Sequence, residues 1–394
     1  MPDKKSLHIL FTNQQLGEAG GTEINVRDWA IGMSRRGHRC SVYAPVLGET
    51  AGHLKSAGIE VVDDLLQLSK APDIIHATHA PTVVEAIVRF PRVPVFQTCQ
   101  GIGHVMNEPL LMPQVAAYMP MGEATKNFLL NDCGVTPEKI RLILNAVDLQ
   151  RIPQRNRPLP EKPQRALIFT KTKAQIPLIE QSCRKTGIQT AQLGRGTGRH
   201  LEDVGLELVK FDLVFATARS AMEAIASGVA TVVVDARGMA GMATPQNYTY
   251  FRANNFGVGC LEEKVSVKSI LREINKYNPQ SAKSLSDSAR EDFDLEKQLD
   301  QIEAAYEDIL KTYSPEKISH EEFFNRLQPV LHRWLPRYPG TDWPWQYEKA
   351  GLLQKISDID EELGWERAAP KNLAIKTLRK FFIYFLRRLR YRLR

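Results

Sequence analysis

"GEAGGTEINVRDWA" (residues 17–30) places a glycine pair, Gly20 and Gly21, between two segments of different character. Before it, "LHILFT" is short and apolar, as a buried strand is. After it, Ile24, Trp29, Ile31 and Met33 recur at roughly helical spacing as far as Gly37. Glycine lets a backbone turn sharply and lets another molecule approach its amide groups. The pair therefore reads either as a plain strand-to-helix turn or as a helix start open to an anion.

The same alternation extends outward. "HRCSVYAP" reads as a strand, "ETAGHLKSAG" as a helix, "IEVVD" and "PDIIHAT" as strands, "PTVVEAIVRF" as a helix and "VPVFQT" as a strand. "AAYMPM", "GEATKNFLLNDCG" and "IRLIL" carry the pattern to Asn145. The proline- and charge-rich "RIPQRNRPLPEKPQR" (151–165) has the composition of a linker. Alternation restarts with "ALIFT", a helix from about Ile176 to Thr186, then "IQTAQLG", "LELVK" and "DLVFAT", the helix "SAMEAIASG" and the strand "ATVVVD". Helical segments follow to about Tyr313. Strands alternating with helices imply parallel sheets covered on both faces by right-handed crossovers. Two such units face a cleft with the carboxyl ends of their strands. The expected class is α/β with two Rossmann-like domains: residues 1–150, a linker at 151–165, and a second domain with closing helices at 166–312. A helical extension, 313–394, ends in a basic amphipathic segment.

The bulk properties narrow the possibilities. A chain of 394 residues suits two domains with appendages. No apolar stretch approaches the ~18 residues of a membrane span, and the early strand leaves no room for a signal peptide. The cysteines (Cys40, Cys99, Cys133, Cys183, Cys260) are scattered without metal-ligand spacing, which suits a reducing cytoplasm. Ten of the 52 lysines and arginines fall between Arg367 and Arg394, where there is no Asp or Glu. The rest of the chain holds 42 against 45 acidic residues, so its basicity belongs to the tail. Such a body is not a nucleic-acid binder.

Four segments resemble the family-4 glycosyltransferases, which have the two-domain GT-B fold. "GGTEINVRDWAIGMSRRGHRCSVYAP" is similar to the family's glycine loop, first helix and second strand. "PDIIHATHAP" resembles its strand ending in a histidine cluster. "GVTPEKIRLILNAVDLQRI" looks like the segment that closes the first domain, and "DLVFATARSAMEAIASGVATVVVDARG" like the donor-binding strand–helix–strand. The resemblance covers residues 7 to about 261. It implies an acceptor-side domain at 1–150, a nucleotide-sugar donor domain at 166–312, and transfer of a sugar from that donor to an acceptor hydroxyl, with retention of configuration and no metal or other cofactor.

The donor's diphosphate suits helix N-termini, with their unpaired amides and positive dipole end. Gly20 and Gly21 mark one such start. "ARSAMEA" marks another, with Arg219 for charge, Ser220 as the expected cap, and the amides of Ala221 and Met222 pointing outward. Glu223 matches the family's glutamate on the donor ribose; its other reading is a solvated helix face, though its neighbours are apolar. Lys171 and Lys173 are either exposed loop lysines or the charges that meet the leaving diphosphate. "LGRGTGRH" (193–200) is a further glycine-rich loop but does not fit a dinucleotide fingerprint.

The chain also departs from the family. Eight residues before Glu223, where the family has a sugar-contacting glutamate in a loop, stands Phe215. Gln100 stands where the family has a reaction-centre histidine, and His79 or His104 could compensate, or be structural. Asn145-Ala146-Val147-Asp148 replaces Asn-Gly-Val-Asp. Asp292/Asp294 and Asp358/Asp360 lie in helical stretches and read as solvated faces rather than metal ligands. Two other functions remain open, a sugar-nucleotide epimerase and a non-catalytic sugar-nucleotide scaffold. The expected partners are a nucleotide-sugar, a glycan or lipid-linked acceptor and an anionic membrane. The last rests on "KNLAIKTLRKFFIYFLRRLRYRLR", where Leu378, Phe381, Phe382, Phe385, Leu386 and Leu389 share a helical face flanked by cations. The alternative is a helix packed on the body or on another subunit. The expected location is the cytoplasm, at the inner face of the membrane, in cell-surface polysaccharide or glycan synthesis.

Overall fold

A computed structural model describes residues 6–17, 20–102, 105–194, 204–315 and 320–334. Six strands form the first sheet: β1 (His8–Thr12), β2 (Arg39–Tyr43), β3 (Glu60–Val62), β4 (Ile74–Thr78), β5 (Val95–Cys99) and β6 (Val115–Pro120). Their order is β3-β2-β1-β4-β5-β6 and every pairing is parallel. β4 and β5 are buried at every position, as strands covered on both faces must be. Crossovers run through α1 (Gly21–Arg35), α2 (Glu49–Ser56) and α3 (Ala80–Arg89), and α4 (Glu123–Asn131) follows β6.

The second sheet contains β7 (Arg165–Phe169), β8 (Gln189–Leu193), β9 (Leu213–Ala216), β10 (Ala230–Asp235) and β11 (Gly238–Met242), in the order β11-β10-β9-β7-β8. All pairs are parallel except β10–β11. Around it lie α5 (Ile176–Lys185), α6 (Gly205–Leu208), α7 (Ala218–Ala226), α8 (Tyr248–Ala253), α9 (Val267–Ile274) and α10 (Pro279–Asp292). Then come α11 (Leu295–Thr312) and α12 (His320–Trp334). Residues 1–331 form one compact unit and 332–394 another. The basic tail lies outside the described residues. Among the described residues no helix is long and apolar enough to cross a membrane.

Three expectations are corrected. "IRLIL" is not a ladder strand: a single bridge joins Tyr118 to Ile140 before the chain turns inward, burying Ile143 in the first core. "LELVK" contributes to the short helix α6, whose Gly205 packs so closely that a Cβ would lie 2.1 Å from the Arg151 carbonyl oxygen. The third concerns the domain boundary. α11 follows the second sheet in sequence, but Leu295, Leu299, Ile302, Ala305, Tyr306 and Ile309 all pack into the first core. The domain 166–312 therefore lends its last helix to the first. Helical periodicity declares an apolar face but not which sheet that face covers.

Polar contacts fix α11 there as firmly as apolar ones. Trp29 Nε1 donates to Gln298 Oε1 (2.8 Å), and Gln298 Nε2 to the Leu144 carbonyl (2.7 Å). The fully buried His76 of β4 bonds Tyr306 of α11 through Nδ1 (2.6 Å) and Thr98 of β5 through Nε2 (2.7 Å), while its ring stacks on Trp29. Burial pushes the His76 imidazole down to about 3, so it is neutral at physiological pH.

Candidate active site

In a sheet of this order the chain leaves β1 and β4 on opposite sides, which opens a crevice beyond their carboxyl ends. Polar residues collect at that edge. Asn13 and Gln14 follow β1, Thr78 ends β4, His79 follows it and Gln100 follows β5. Asn13 Oδ1, Gln14 Oε1, Thr78 Oγ1 and Gln100 Nε2 are buried and make no hydrogen bond among the described residues. Leaving such an atom unpaired costs about 1–3 kcal/mol, so four together mark a place built for a polar guest.

His79 occupies this edge under strain. Its φ is +69°, a value L-residues rarely adopt, and it caps the N-terminus of α3. Thr82 Oγ1 donates to the carbonyls of Thr78 (2.6 Å) and His79 (3.0 Å), which holds the backbone in that shape. His79 Nδ1 accepts the Gln14 amide at 3.3 Å, so the neutral ring carries its proton on Nε2. His104 lies outside the described residues.

Gly20 is the N-cap of α1, in extended conformation and with no side-chain cap, which leaves first-turn amides open. A cation from the second sheet meets them: Lys171 Nζ lies 3.6 Å from where a Cβ on Gly21 would stand. Lys171 and Lys173 belong to the loop after β7. That loop is braced by Thr170 Oγ1, which accepts the amide of Thr172 (3.2 Å) and Nε2 of Gln175 (2.5 Å). Gly194 backs the brace with φ +110°, and any Cβ there would come within 2.2 Å of the Thr170 carbonyl oxygen.

The second helix start differs from expectation. Thr217, not Ser220, is the N-cap of α7, and Ala218 turns the chain at φ +51°. The Ala218 amide is spent on the Phe256 carbonyl (2.7 Å). The open amides are thus those of Arg219 and Ser220, in place of Ala221 and Met222. Phe215 is 1% exposed within β9 and packs in the sheet core, so no side chain stands in a loop at that position. Glu223 is buried, as its apolar neighbours implied, and its Oε1 accepts Arg219 Nε at 3.0 Å. Burial pushes the Glu223 carboxyl up, and the Arg219 charge opposes that shift. Arg219 also reaches α1, donating from Nη1 to Asn25 Oδ1 (2.6 Å) and from Nη2 to Asp28 Oδ2 (2.5 Å).

Comparison with known proteins follows the same lines. Residues 19–151 match the model of Glycosyltransferase Family 4. The match covers the first domain from α1 onward. No curated protein matches the sequence. Among solved structures, a glycosyltransferase from Rickettsia africae ESF-5 is 13% identical, with 79% of this chain and 100% of that one covered and a TM-score of 0.57. Anabaena HepE in complex with UDP-glucose is 15% identical over 77% of this chain and 100% of that one, with a TM-score of 0.59. At these identities the likeness establishes the fold alone, which is GT-B.

The structure brings Gly20, Gly21 and Lys171 together, and separately His79 with Gln100 at the first sheet's edge. Arg219 and Glu223 adjoin each other and α1. Residues 195–203, which hold most of "LGRGTGRH", lie outside the described residues. Sequence reasoning missed Asn13, Gln14 and Thr78, and also Gln97, whose side chain pins the loop after β5 by bonding the Glu108 carbonyl and the Leu110 amide. A run of amides and hydroxyls just past apolar strands was the available signal. Asp292 accepts the Tyr248 hydroxyl (2.7 Å) and Asp294 caps α11 through the Glu296 amide (3.0 Å). Among the described residues no group of three or more His, Cys, Asp or Glu is placed to hold a metal. Asp358 and Asp360 lie outside them.

Proposed function

We propose that this chain is a glycosyltransferase that moves a sugar from a nucleotide-sugar donor to an acceptor hydroxyl, with retention of configuration and without a metal. The observation that carries the reading is the meeting of Lys171 with the glycine-marked start of α1, each from a different sheet. A diphosphate in that gap would gain a cation and a helix dipole at once, and these would offset the negative charge that develops on it as the nucleotide leaves. The unpaired amides and hydroxyls of Asn13, Gln14, Thr78 and Gln100 suit sugar hydroxyls, which both donate and accept. In a retaining transfer the acceptor oxygen bonds the anomeric carbon as its bond to the diphosphate breaks, and the acceptor's proton goes to a phosphate oxygen. UDP-glucose in Anabaena HepE supports a UDP-sugar as the donor.

The test is nucleotide release from UDP-, GDP- and ADP-sugars, followed by chromatography with and without EDTA, in the presence of lipid-linked and soluble glycan acceptors. UDP-sugars should be consumed at a rate that EDTA leaves unchanged. Absence of binding by every nucleotide-sugar would refute the reading, and sugar turnover without any acceptor would point to an epimerase.

We further propose that the tail docks the enzyme on an anionic membrane where cell-surface glycans are made. Each basic residue near such a surface contributes about 1 kcal/mol, screened by salt. Deleting residues 371–394 should abolish co-sedimentation with phosphatidylglycerol vesicles at low salt and leave nucleotide affinity intact. A full-length protein that ignores those vesicles would end the proposal.

A further inference from the structure

The contact between α1 and α7 is charged, buried and fully directional. Every kind of nitrogen on the Arg219 guanidinium has its own acceptor: Nε takes Glu223 Oε1, Nη1 takes Asn25 Oδ1 and Nη2 takes Asp28 Oδ2. Asp28 in turn binds Arg27 through Oδ1, with Nε at 3.0 Å and Nη2 at 2.7 Å. The side chains of Arg27, Asp28, Arg219 and Glu223 are each less than a tenth exposed, and their formal charges cancel. Asn25 is anchored behind them by its contact with Met121 Sδ (3.8 Å).

Such a cluster is a poor way merely to hold two domains together, because desolvating four charges offsets most of their mutual attraction. Its geometry serves a different end. A planar guanidinium held at Nη1 by Asn25 and at Nη2 by Asp28 cannot rotate, so Glu223, bonded at Nε, has a single orientation. Only Oε1 of Glu223 is used; Oε2 takes no hydrogen bond among the described residues, and Glu223 lines a small cavity with Ile24, Asp148 and Arg151.

We propose that Asp28 and Asn25 of the first domain are positioning residues for the nucleotide half of the site, acting through Arg219 to aim the Glu223 carboxylate. This rests on the donor reading of Arg219 and Glu223 given above. It makes nucleotide affinity depend on two residues of α1 that need not touch the nucleotide, and so couples the first domain to binding on the second.

The experiment uses the full-length chain, with UDP as the probe in calorimetric titration and UDP-glucose in steady-state assays. Asp28→Asn should raise the UDP dissociation constant roughly tenfold, raise KM in step and leave kcat within about twofold, the size expected when one charge-assisted hydrogen bond is lost. Asp28→Glu should recover part of the affinity. Asn25→Ala, which changes no charge, should weaken UDP in the same direction and serves if Asp28→Asn does not fold. Arg36→Ala breaks ion pairs between α1 and α11 on another face and should leave UDP affinity unchanged. Without nucleotide, amide hydrogen exchange across residues 218–223 should quicken in Asp28→Asn and in Asn25→Ala but not in Arg36→Ala. Unchanged exchange in folded Asp28→Asn overturns the proposal whatever nucleotide the enzyme prefers. Unchanged UDP affinity alongside quickened exchange also overturns it, leaving the cluster a structural tie. If exchange quickens but wild type binds neither UDP, GDP nor ADP, the aiming of Glu223 stands and the donor reading fails.

Discussion

His79→Gly should cut turnover in the proposed sugar transfer by about a hundredfold or more while raising the protein's melting temperature. The two effects separate because His79 carries two burdens. Its backbone is held at φ +69°, and a non-glycine residue in such a conformation costs about 1–3 kcal/mol, which glycine does not incur. Its imidazole stands at the edge where four polar atoms await partners, with Nδ1 on the Gln14 amide and the proton on Nε2. A preorganised hydrogen-bond donor aimed where charge develops in the transition state contributes about 10²–10³-fold to turnover. His79→Ala should lose turnover equally but without the gain in stability, since alanine keeps the strain. Nucleotide affinity should stay within about twofold in both, because the phosphate-side groups lie elsewhere. The measurement is kcat with UDP-glucose beside a thermal melt. A stabilised His79→Gly enzyme with undiminished kcat would make His79 a strained helix cap and nothing more.

Mild acid should destabilise the first domain through His76. The ring is neutral in the fold at any pH above about 3, whereas in the unfolded chain it takes up a proton near its ordinary value of 6.5. A folded value below the unfolded one means that the unfolded state binds more protons between these limits. The neutral ring's full contribution is therefore present above pH 6.5 and is lost as pH falls toward 3, at about 1.4 kcal/mol per pH unit. Between pH 7 and pH 5 this amounts to roughly 2 kcal/mol. His76→Asn removes the titration while keeping a hydrogen-bonding side chain between Tyr306 and Thr98. It should be less stable than wild type at pH 7, since it loses the ring stacked on Trp29, and should show a correspondingly smaller loss on going to pH 5. Urea unfolding at both pH values, followed by tryptophan fluorescence, gives the comparison. Equal acid sensitivity in the two proteins would refute the assignment.

The parallel architecture was legible because strands buried on both faces must be continuous apolar runs, and the helices between them must be striped. "PDIIHAT", "VPVFQT" and "ATVVVD" could hardly be anything else in this setting. β11 was not legible: "GMAGM" lacks the β-branched residues of a strand. It exists because it pairs antiparallel with β10, and because Gly241 leaves room for Glu273, whose Oε2 accepts the Met242 amide. At the site, the glycine pair announced a helix start, and the buried state of Glu223 followed from its apolar neighbours.

The amino-acid sequence by itself determined the two sheets, the crossovers between them and the kinds of residue that end up at their carboxyl edges. These follow from local periodicity and from the chemistry of turns. Tertiary structure alone decided that α11 covers the first sheet, that Thr217 rather than Ser220 starts α7, that Lys171 meets Gly21, and that Arg219 is held by Asn25 and Asp28. Those outcomes depend on pairings between residues far apart in the chain, such as Trp29 with Gln298, 269 positions apart. No local pattern encodes which of several equally suitable partners a side chain will find; packing and the need to satisfy every buried polar group make that choice.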